Sequence, residues 1–137
     1  MSTQVGVHWS REQNDRFVAV AHSESRNREH QADVFLEVVL LLREKIPEFH
    51  RYLEFPSCVQ EERYRTKVYI GNDVYGRYAD WAREFGLEPG AFVGIVLANM
   101  LRWHDEYVSE GHLTTKEEIA GLLSERLVIR HAGVNSD

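Results

Sequence analysis

The feature of this chain that most constrains its fold is a pattern of apolar positions that occurs twice. When the sequence is shifted against itself so that Val7 aligns with Val68, the apolar and aromatic positions coincide without a gap over about 45 residues. Further aligned pairs are Phe17 with Tyr78, Val34 with Ile95, and Val39 with Met100. Self-similarity of this kind predicts two copies of one structural unit, each packed against the other.

Each copy begins with alternating side chains, which predict a strand with one apolar and one polar face. The apolar positions are Val5, Val7 and Trp9 in the first copy and Thr66, Val68 and Ile70 in the second. The polar positions are Gln4, Gly6, His8, Arg65, Lys67 and Tyr69. Because a lone strand has unpaired edges, we expect the two strands to pair antiparallel and expose the polar positions on one ribbon face.

Two helices are predicted after the first strand. Ser10 and Gln13 form a capping-box pattern, and apolar residues follow at helical spacing, which predicts a helix over residues 11–24. A second helix is predicted over residues 31–46, because apolar residues occupy most of its faces and Pro47 marks its end. Between them, the polar run SESRNREHQ is predicted to be a turn.

The second copy contains the same elements with clearer end signals. Asn72 is a favourable N-cap, and Gly86 stands where a helix commonly ends in a glycine. Pro89 suits the first position of the next helix, which the apolar spacing extends to about Glu106. Three tryptophans occupy apolar positions of the repeat or its helices and are expected in the core: Trp9, Trp81 and Trp103.

These patterns predict a mainly α chain with a two-stranded antiparallel β-ribbon, organised as two units, a linker and a tail. The first unit spans 4–52, the linker 53–64, the second unit 65–110 and the C-terminal tail 111–137. In the tail, Thr115 and Glu118 form another capping-box pattern that predicts a short helix through Leu122, Leu123 and Leu127.

Composition limits the classes of function. The net charge of -6 argues against a protein that binds polyanions without regard to sequence, because phosphate neutralisation requires local Lys and Arg. Cys58 is the sole cysteine, so an intrachain disulfide is excluded and a cytoplasmic, reducing setting is expected. No apolar run approaches the ~18 residues of a membrane span, and the N-terminus lacks a signal pattern. No nucleotide-binding loop, nucleophile motif or metal-ligand spacing occurs, so we expect no enzyme activity, cofactor or metal.

The residues resemble the ribbon-helix-helix family of DNA-binding proteins, the MetJ/Arc superfamily. HWSREQNDRFVAVA is similar to the strand-to-helix junction of Arc-type repressors, and KVYIGNDVYGRY to the N-terminal strand and helix of plasmid conjugation proteins. Two such units in one chain are similar to relaxosome accessory proteins. The resemblance implies a tandem ribbon-helix-helix pseudo-dimer in one chain.

The resemblance also implies how DNA would be bound. In the family, the paired strands enter the major groove and outward side chains contact base edges, which assigns that role to Gln4, Gly6, His8, Arg65, Lys67 and Tyr69. Backbone amides at the start of each second helix bind phosphate, which assigns that role to the region of Arg26, Asn27 and Arg28 and to Gly90 and Ala91. Glu88 would repel phosphate at the second of these places unless its side chain caps the helix.

Two functions remain open at this point. One is sequence-specific binding of double-stranded DNA, as a transcriptional repressor or as a relaxosome accessory factor at a transfer origin. Partners would then include a relaxase or another protein bound through the linker and tail, and a further copy of the chain. The alternative is a non-enzymatic protein-protein interaction module that keeps the fold without binding DNA, which the net charge, Gly6 and Glu88 favour.

Overall fold

A computed structural model describes residues 2–23, 26–55, 64–108 and 115–135 of the chain. Within these ranges two strands and five α-helices occur, and the order strand, helix, helix is repeated. The elements are β1 (Ser2–Trp9), α1 (Arg11–Ser23), α2 (Arg28–Lys45), β2 (Tyr64–Gly71), α3 (Asn72–Glu84), α4 (Pro89–Tyr107) and α5 (Lys116–Asn135), with a short 3₁₀ helix (Phe49–Tyr52) before β2. The predicted mainly α architecture with a two-stranded antiparallel sheet is confirmed.

β1 and β2 form an antiparallel ribbon with helices against one face. Gln4 lies opposite Tyr69, and Gly6 lies opposite Lys67. The inward side chains are almost completely buried, as the alternation predicts, and they are Val5, Val7, Trp9, Val68 and Ile70. Burying these side chains on the helices restricts the register, because a shift by one residue would turn every apolar side chain to the solvent.

The spacing of the elements matches the spacing of the sequence repeat. α1 begins at Arg11 and α3 at Asn72, which is the offset that aligns Val7 with Val68 in the sequence. The same offset separates the start of α2 at Arg28 from the start of α4 at Pro89. It also relates Gly6 to Lys67, and these two residues are paired in the ribbon. The ribbon therefore has equivalent residues of the two copies facing each other at its middle.

The two copies are interlocked, since the second helix of each packs on the strand of the other. α4 passes so close to β1 that a Cβ atom at Gly94 would lie 3.7 Å from the Gly6 carbonyl oxygen. α2 packs on β2, and Asp33 Oδ1 of α2 accepts the Gly71 N–H at 2.9 Å. Neither copy could bury its apolar surface by itself.

One continuous core lies between the ribbon and the helices. Trp9, Trp81 and Trp103 are buried in it, as the sequence predicts. The Arg43 guanidinium lies 4.6 Å from the centre of the Trp81 ring, where a cation is favoured by the negative face of the indole. No single helix in the described ranges has the length and apolar composition to cross a membrane, while α3 and α4 meet that criterion only as a pair bent by 100°.

Several of the helix-end signals act as predicted. The Gln13 N–H donates to Ser10 Oγ at 3.0 Å and the Ser10 N–H donates to Gln13 Oε1 at 2.9 Å, which completes the capping box of α1. Gly86 has φ 67°, a left-handed conformation that favours glycine, and it follows the end of α3. Pro89 is the first residue of α4.

Three helix boundaries differ from the prediction. α2 begins at Arg28 and not at residue 31, because Asn27 caps it by accepting the His30 N–H at 2.7 Å. Asn72 is not the cap of α3: Gly71 occupies that position, and Asn72 Oδ1 accepts the Thr3 hydroxyl at 2.6 Å instead.

The third difference is α5, which is a helix of 20 residues and not a short one. It packs on α2 with one apolar side, whose buried members are Ile119, Ala120, Leu123 and Leu127. Lys116 at its start forms an ion pair with Glu37 of α2. Much of the segment predicted to be a tail therefore completes the core.

Candidate nucleic-acid interface

The outer face of the ribbon is the surface on which the predicted base-contacting residues were placed. Gln4, Lys67 and Tyr69 are exposed there, and Gly6 lies among them. Tyr69 is 48% exposed, a large value for an aromatic ring. By strand position His8 and Arg65 belong to the same face and are paired with each other, although their side chains lie outside the described part of the molecule.

The register brings a different pair of residue types together at each position of the exposed face. Its three outward pairs are Gln4 with Tyr69, Gly6 with Lys67, and His8 with Arg65. The middle pair has a lysine opposite a residue without a side chain. In the first pair, Gln4 Nε2 donates a hydrogen bond to Tyr69 Oη at 3.2 Å.

The N-terminus of α2 holds the first predicted phosphate contact. Arg28 is the exposed first residue of the helix, and Asn27 is its cap. The Asn27 side-chain oxygen accepts a hydrogen bond from the His30 N–H, so the backbone amide of His30 already has a partner. The Arg26 guanidinium donates to Gln31 Oε1 at 3.2 Å, which holds its positive charge against the start of the helix.

The N-terminus of α4 holds the second predicted phosphate contact. Pro89 has no N–H, so the first amides that the helix offers are those of Gly90 and Ala91. Glu88 stands at the cap position, but its side chain makes no capping hydrogen bond. Its carboxylate is exposed and adds negative charge beside these amides, which opposes the binding of an anion there.

The half-buried carboxylate of Asp33 supports the ribbon from beneath. Burial raises the pKa of Asp33, and the hydrogen bond from the Gly71 N–H lowers it in part. Through this bond α2 holds the junction between β2 and α3, at the end of the ribbon that also contains the Thr3 to Asn72 hydrogen bond. No local sequence signal indicates this role for Asp33, because its partner lies 38 residues away.

Other candidate chemistry does not assemble into a site in the described residues. No group of three His, Cys, Asp or Glu side chains there is placed to hold a metal. His104 is buried against the Phe35 ring, with 5.4 Å between the ring centres, whereas His112 and Cys58 lie outside the described residues.

An open groove of about 260 Å³ separates α1 from α4 and was not predicted. The ion pair between Arg16 and Asp105, at 2.7 Å, crosses it. The outer face of the ribbon, in contrast, exposes the polar side chains of Gln4, Lys67 and Tyr69. The chain matches no family model, no curated protein and no solved structure.

Proposed function

We propose that this protein is a tandem ribbon-helix-helix protein that binds double-stranded DNA sequence-specifically, with its ribbon in the major groove. The observation that carries the proposal is the one-sided ribbon: helices cover one face, and the other exposes Gln4, Lys67 and Tyr69. A two-stranded ribbon has the width that the major groove accepts. The equal spacing of the two copies supports the tandem arrangement.

The exposed side chains match the chemistry of base edges. Lys67 donates to the O6 and N7 acceptors of guanine, and the Gln4 carboxamide is able to pair with adenine through two hydrogen bonds. Tyr69 offers a hydroxyl and an apolar ring edge for a thymine methyl group. Arg65 and His8 are assigned to the same face by strand position. Gly6 contacts no base edge with a side chain.

Phosphate contacts would come from the helix N-termini that flank the ribbon. Arg28 adds a positive charge at α2, while α4 offers the amides of Gly90 and Ala91 beside the negative Glu88. With a net charge of -6 and few cations near the ribbon, non-specific affinity is expected to be weak and the dependence on salt modest. Specificity would therefore depend on a few contacts to bases.

The biological role follows from the DNA that is bound. A site in the promoter of its own gene would make the protein a transcriptional repressor, and a site in a transfer origin would make it a relaxosome accessory factor. In the second case a relaxase would be the protein partner. α5 exposes the apolar side chains of Val128 and Ile129, which are available for such a contact.

The rival function is a protein-protein interaction module with the same fold. The acidic net charge favours it. Glu88 favours it too, because its side chain stands at the N-terminus of α4 without capping the helix. Under this function the ribbon face would bind a protein surface, and double-stranded DNA would select no sequence.

Selection from a random double-stranded DNA library followed by titration distinguishes the two functions. We expect wild type to enrich one sequence, and Lys67→Ala to weaken binding to it by about 1–3 kcal/mol. Lys45→Ala is the matched control, because it removes the same exposed charge from the last turn of α2 and should leave affinity nearly unchanged. Lys67 is exposed, so its removal should leave the melting temperature unchanged.

A second variant separates base contacts from phosphate contacts. Arg28→Ala should weaken binding to all sequences alike and reduce the salt slope by about 1. Failure of wild type to enrich any sequence would reject the DNA-binding function and favour the interaction module. Equal binding by wild type and Lys67→Ala to an enriched sequence would reject the ribbon as the face that contacts the bases.

A further inference from the structure

Gln4 and Tyr69 are joined by a hydrogen bond on the exposed face of the ribbon. They lie directly opposite each other, and Gln4 Nε2 donates to Tyr69 Oη at 3.2 Å. Both side chains are exposed, so the bond does not serve to satisfy a buried polar group. Its main physical effect is on the Gln4 side chain, whose free rotation it restricts.

The bond determines which hydrogen-bonding groups Gln4 has left to offer. A carboxamide has one acceptor oxygen and two N–H donors. One donor is used by Tyr69, so the oxygen Oε1 and the second N–H remain available. In the major groove adenine presents one donor, the N6 amino group, and one acceptor, N7. The remaining groups of Gln4 are the complement of these two.

We propose that Gln4 and Tyr69 act together to select adenine at one position of the DNA target. The proposal rests on the proposed function and names the base that this pair specifies. Gln4 contacts the base, and Tyr69 is a positioning residue that fixes the orientation of the Gln4 amide. Because Tyr69 Oη accepts the bond from Gln4, its own O–H stays free to donate to a neighbouring acceptor.

Fixing the amide matters more for discrimination than for affinity. Guanine presents two acceptors, O6 and N7, and a freely rotating glutamine could turn its N–H groups toward either of them. In the orientation held by Tyr69, Oε1 faces the position of guanine O6, where two acceptors repel each other. Removing the Tyr69 hydroxyl should therefore lower the preference for adenine more than it lowers the affinity for DNA in general.

The test uses the full chain and a random double-stranded DNA library, with base preferences measured at each position of the selected sequence. We expect wild type to prefer adenine at one position, and Tyr69→Phe to reduce that preference about 10-fold, within the range of one bidentate contact. Gln4→Ala should abolish it, and adding Tyr69→Phe to Gln4→Ala should change nothing more. Gln4→Glu should move the preference to cytosine, because a carboxylate accepts from the N4 amino group.

Two controls keep a structural effect apart from a positioning effect. Lys67→Ala should alter a different position of the selected sequence and leave the adenine preference unchanged. In the free protein, the side-chain amide signal of Gln4 in a ¹H–¹⁵N spectrum should shift in Tyr69→Phe, which reports the hydrogen bond in the absence of DNA.

The outcomes distinguish the proposal from the function on which it rests. One outcome is that Lys67→Ala changes the selected sequence while Tyr69→Phe leaves every position as in wild type. The joint role of Gln4 and Tyr69 would then be overturned, and DNA binding would stand. A preference for guanine that depends on Tyr69 would also overturn it, because the amide would then have the opposite orientation. If wild type enriches no sequence, both are rejected.

Discussion

Replacing Tyr78 by phenylalanine should weaken the contact between the two copies without creating a cavity. The buried Tyr78 hydroxyl, on α3, donates to the carbonyl oxygen of Leu36, on α2, at 2.6 Å. Phenylalanine keeps the ring, so the substitution removes one buried hydrogen bond, worth about 0.5–1.5 kcal/mol of unfolding free energy. Leu36 lies within α2, so its carbonyl keeps a helical partner and adds no larger penalty.

The same substitution has a signature in the pH dependence of stability. Burial raises the pKa of Tyr78 well above its ordinary value of 10.0, whereas in the unfolded chain it titrates near that value. The contribution of Tyr78 to the free energy of unfolding is therefore fully present below its pKa in the unfolded chain. It is lost as the pH rises toward its pKa in the folded protein. The loss is about 1.4 kcal/mol per pH unit. Since phenylalanine does not titrate, the difference in unfolding free energy between wild type and Tyr78→Phe should vanish at about pH 11.

Urea unfolding followed by tryptophan fluorescence, at several values between pH 7 and 11, measures both effects. Tyr75→Phe is the matched control, because it removes a hydroxyl from a half-buried ring on the same helix. A neutral-pH cost for Tyr78→Phe no larger than that of Tyr75→Phe would refute the assigned hydrogen bond. A cost that stays constant up to pH 11 would refute the role of burial.

Three further substitutions test other parts of the fold by chemical unfolding. Asn99→Ala should cost about 1–3 kcal/mol, because the Asn99 carboxamide binds both backbone groups of Glu54 at 2.9 Å; a cost under about 0.5 kcal/mol would contradict this. Gly86→Ala should cost about 1 kcal/mol, since Gly86 has φ 67°, and an unchanged midpoint would contradict it. Asp33→Asn should gain stability relative to wild type, by less than about 1 kcal/mol, as the pH rises from 3 to 7. Burial raises the pKa of Asp33 above 3.8, so its ionisation opposes folding, and asparagine still accepts the Gly71 N–H; a relative loss would contradict this.

The elements that the sequence predicts well are those whose signals are local. Alternation identified the buried face of each strand, because successive side chains of a strand must point to opposite sides. The reciprocal bonds of Ser10 and Gln13 lie within the first turn of α1, and Gly86 and Pro89 mark a helix end and a helix start by their own backbone preferences. Each of these could be predicted without knowledge of the rest of the chain.

The remaining features depend on residues that are distant in sequence. α5 is longer than its apolar pattern indicated, and beyond Leu127 its Arg130 pairs with Glu106 and donates to the Tyr107 hydroxyl of α4. Asn72 was predicted to cap α3, but its side chain instead accepts a hydrogen bond from Thr3, which is 69 residues away in sequence. The hydrogen bond between Gln4 and Tyr69 likewise depends on the register of the ribbon, which the alternation restricts to every second residue but does not fix.

The two repeats of strand, helix and helix have different residues and different contacts at corresponding positions. At the first strand-helix junction Ser10 is capped within its own copy by Gln13, whereas Gly71, at the equivalent position of the second copy, is held by Asp33 of the first. The residue at the position corresponding to Asp33 is Gly94, which lies against β1. The two strand-helix junctions are therefore held by different side chains.

Under the proposed function, the same divergence predicts an asymmetric DNA target. Gly6 faces Lys67 at the middle of the ribbon, and Gln4 and Tyr69 stand at one end, so the two halves of the ribbon offer different groups to the groove. A palindrome built from either half of the selected sequence should bind more weakly than the selected sequence, by about 1–3 kcal/mol for each base-specific hydrogen-bonding pair that it cannot form. Fluorescence titration of the three duplexes at one salt concentration measures this. Equal affinity for a palindrome would mean that the unequal residues do not contact bases, and that binding depends on the shared backbone geometry of the two copies.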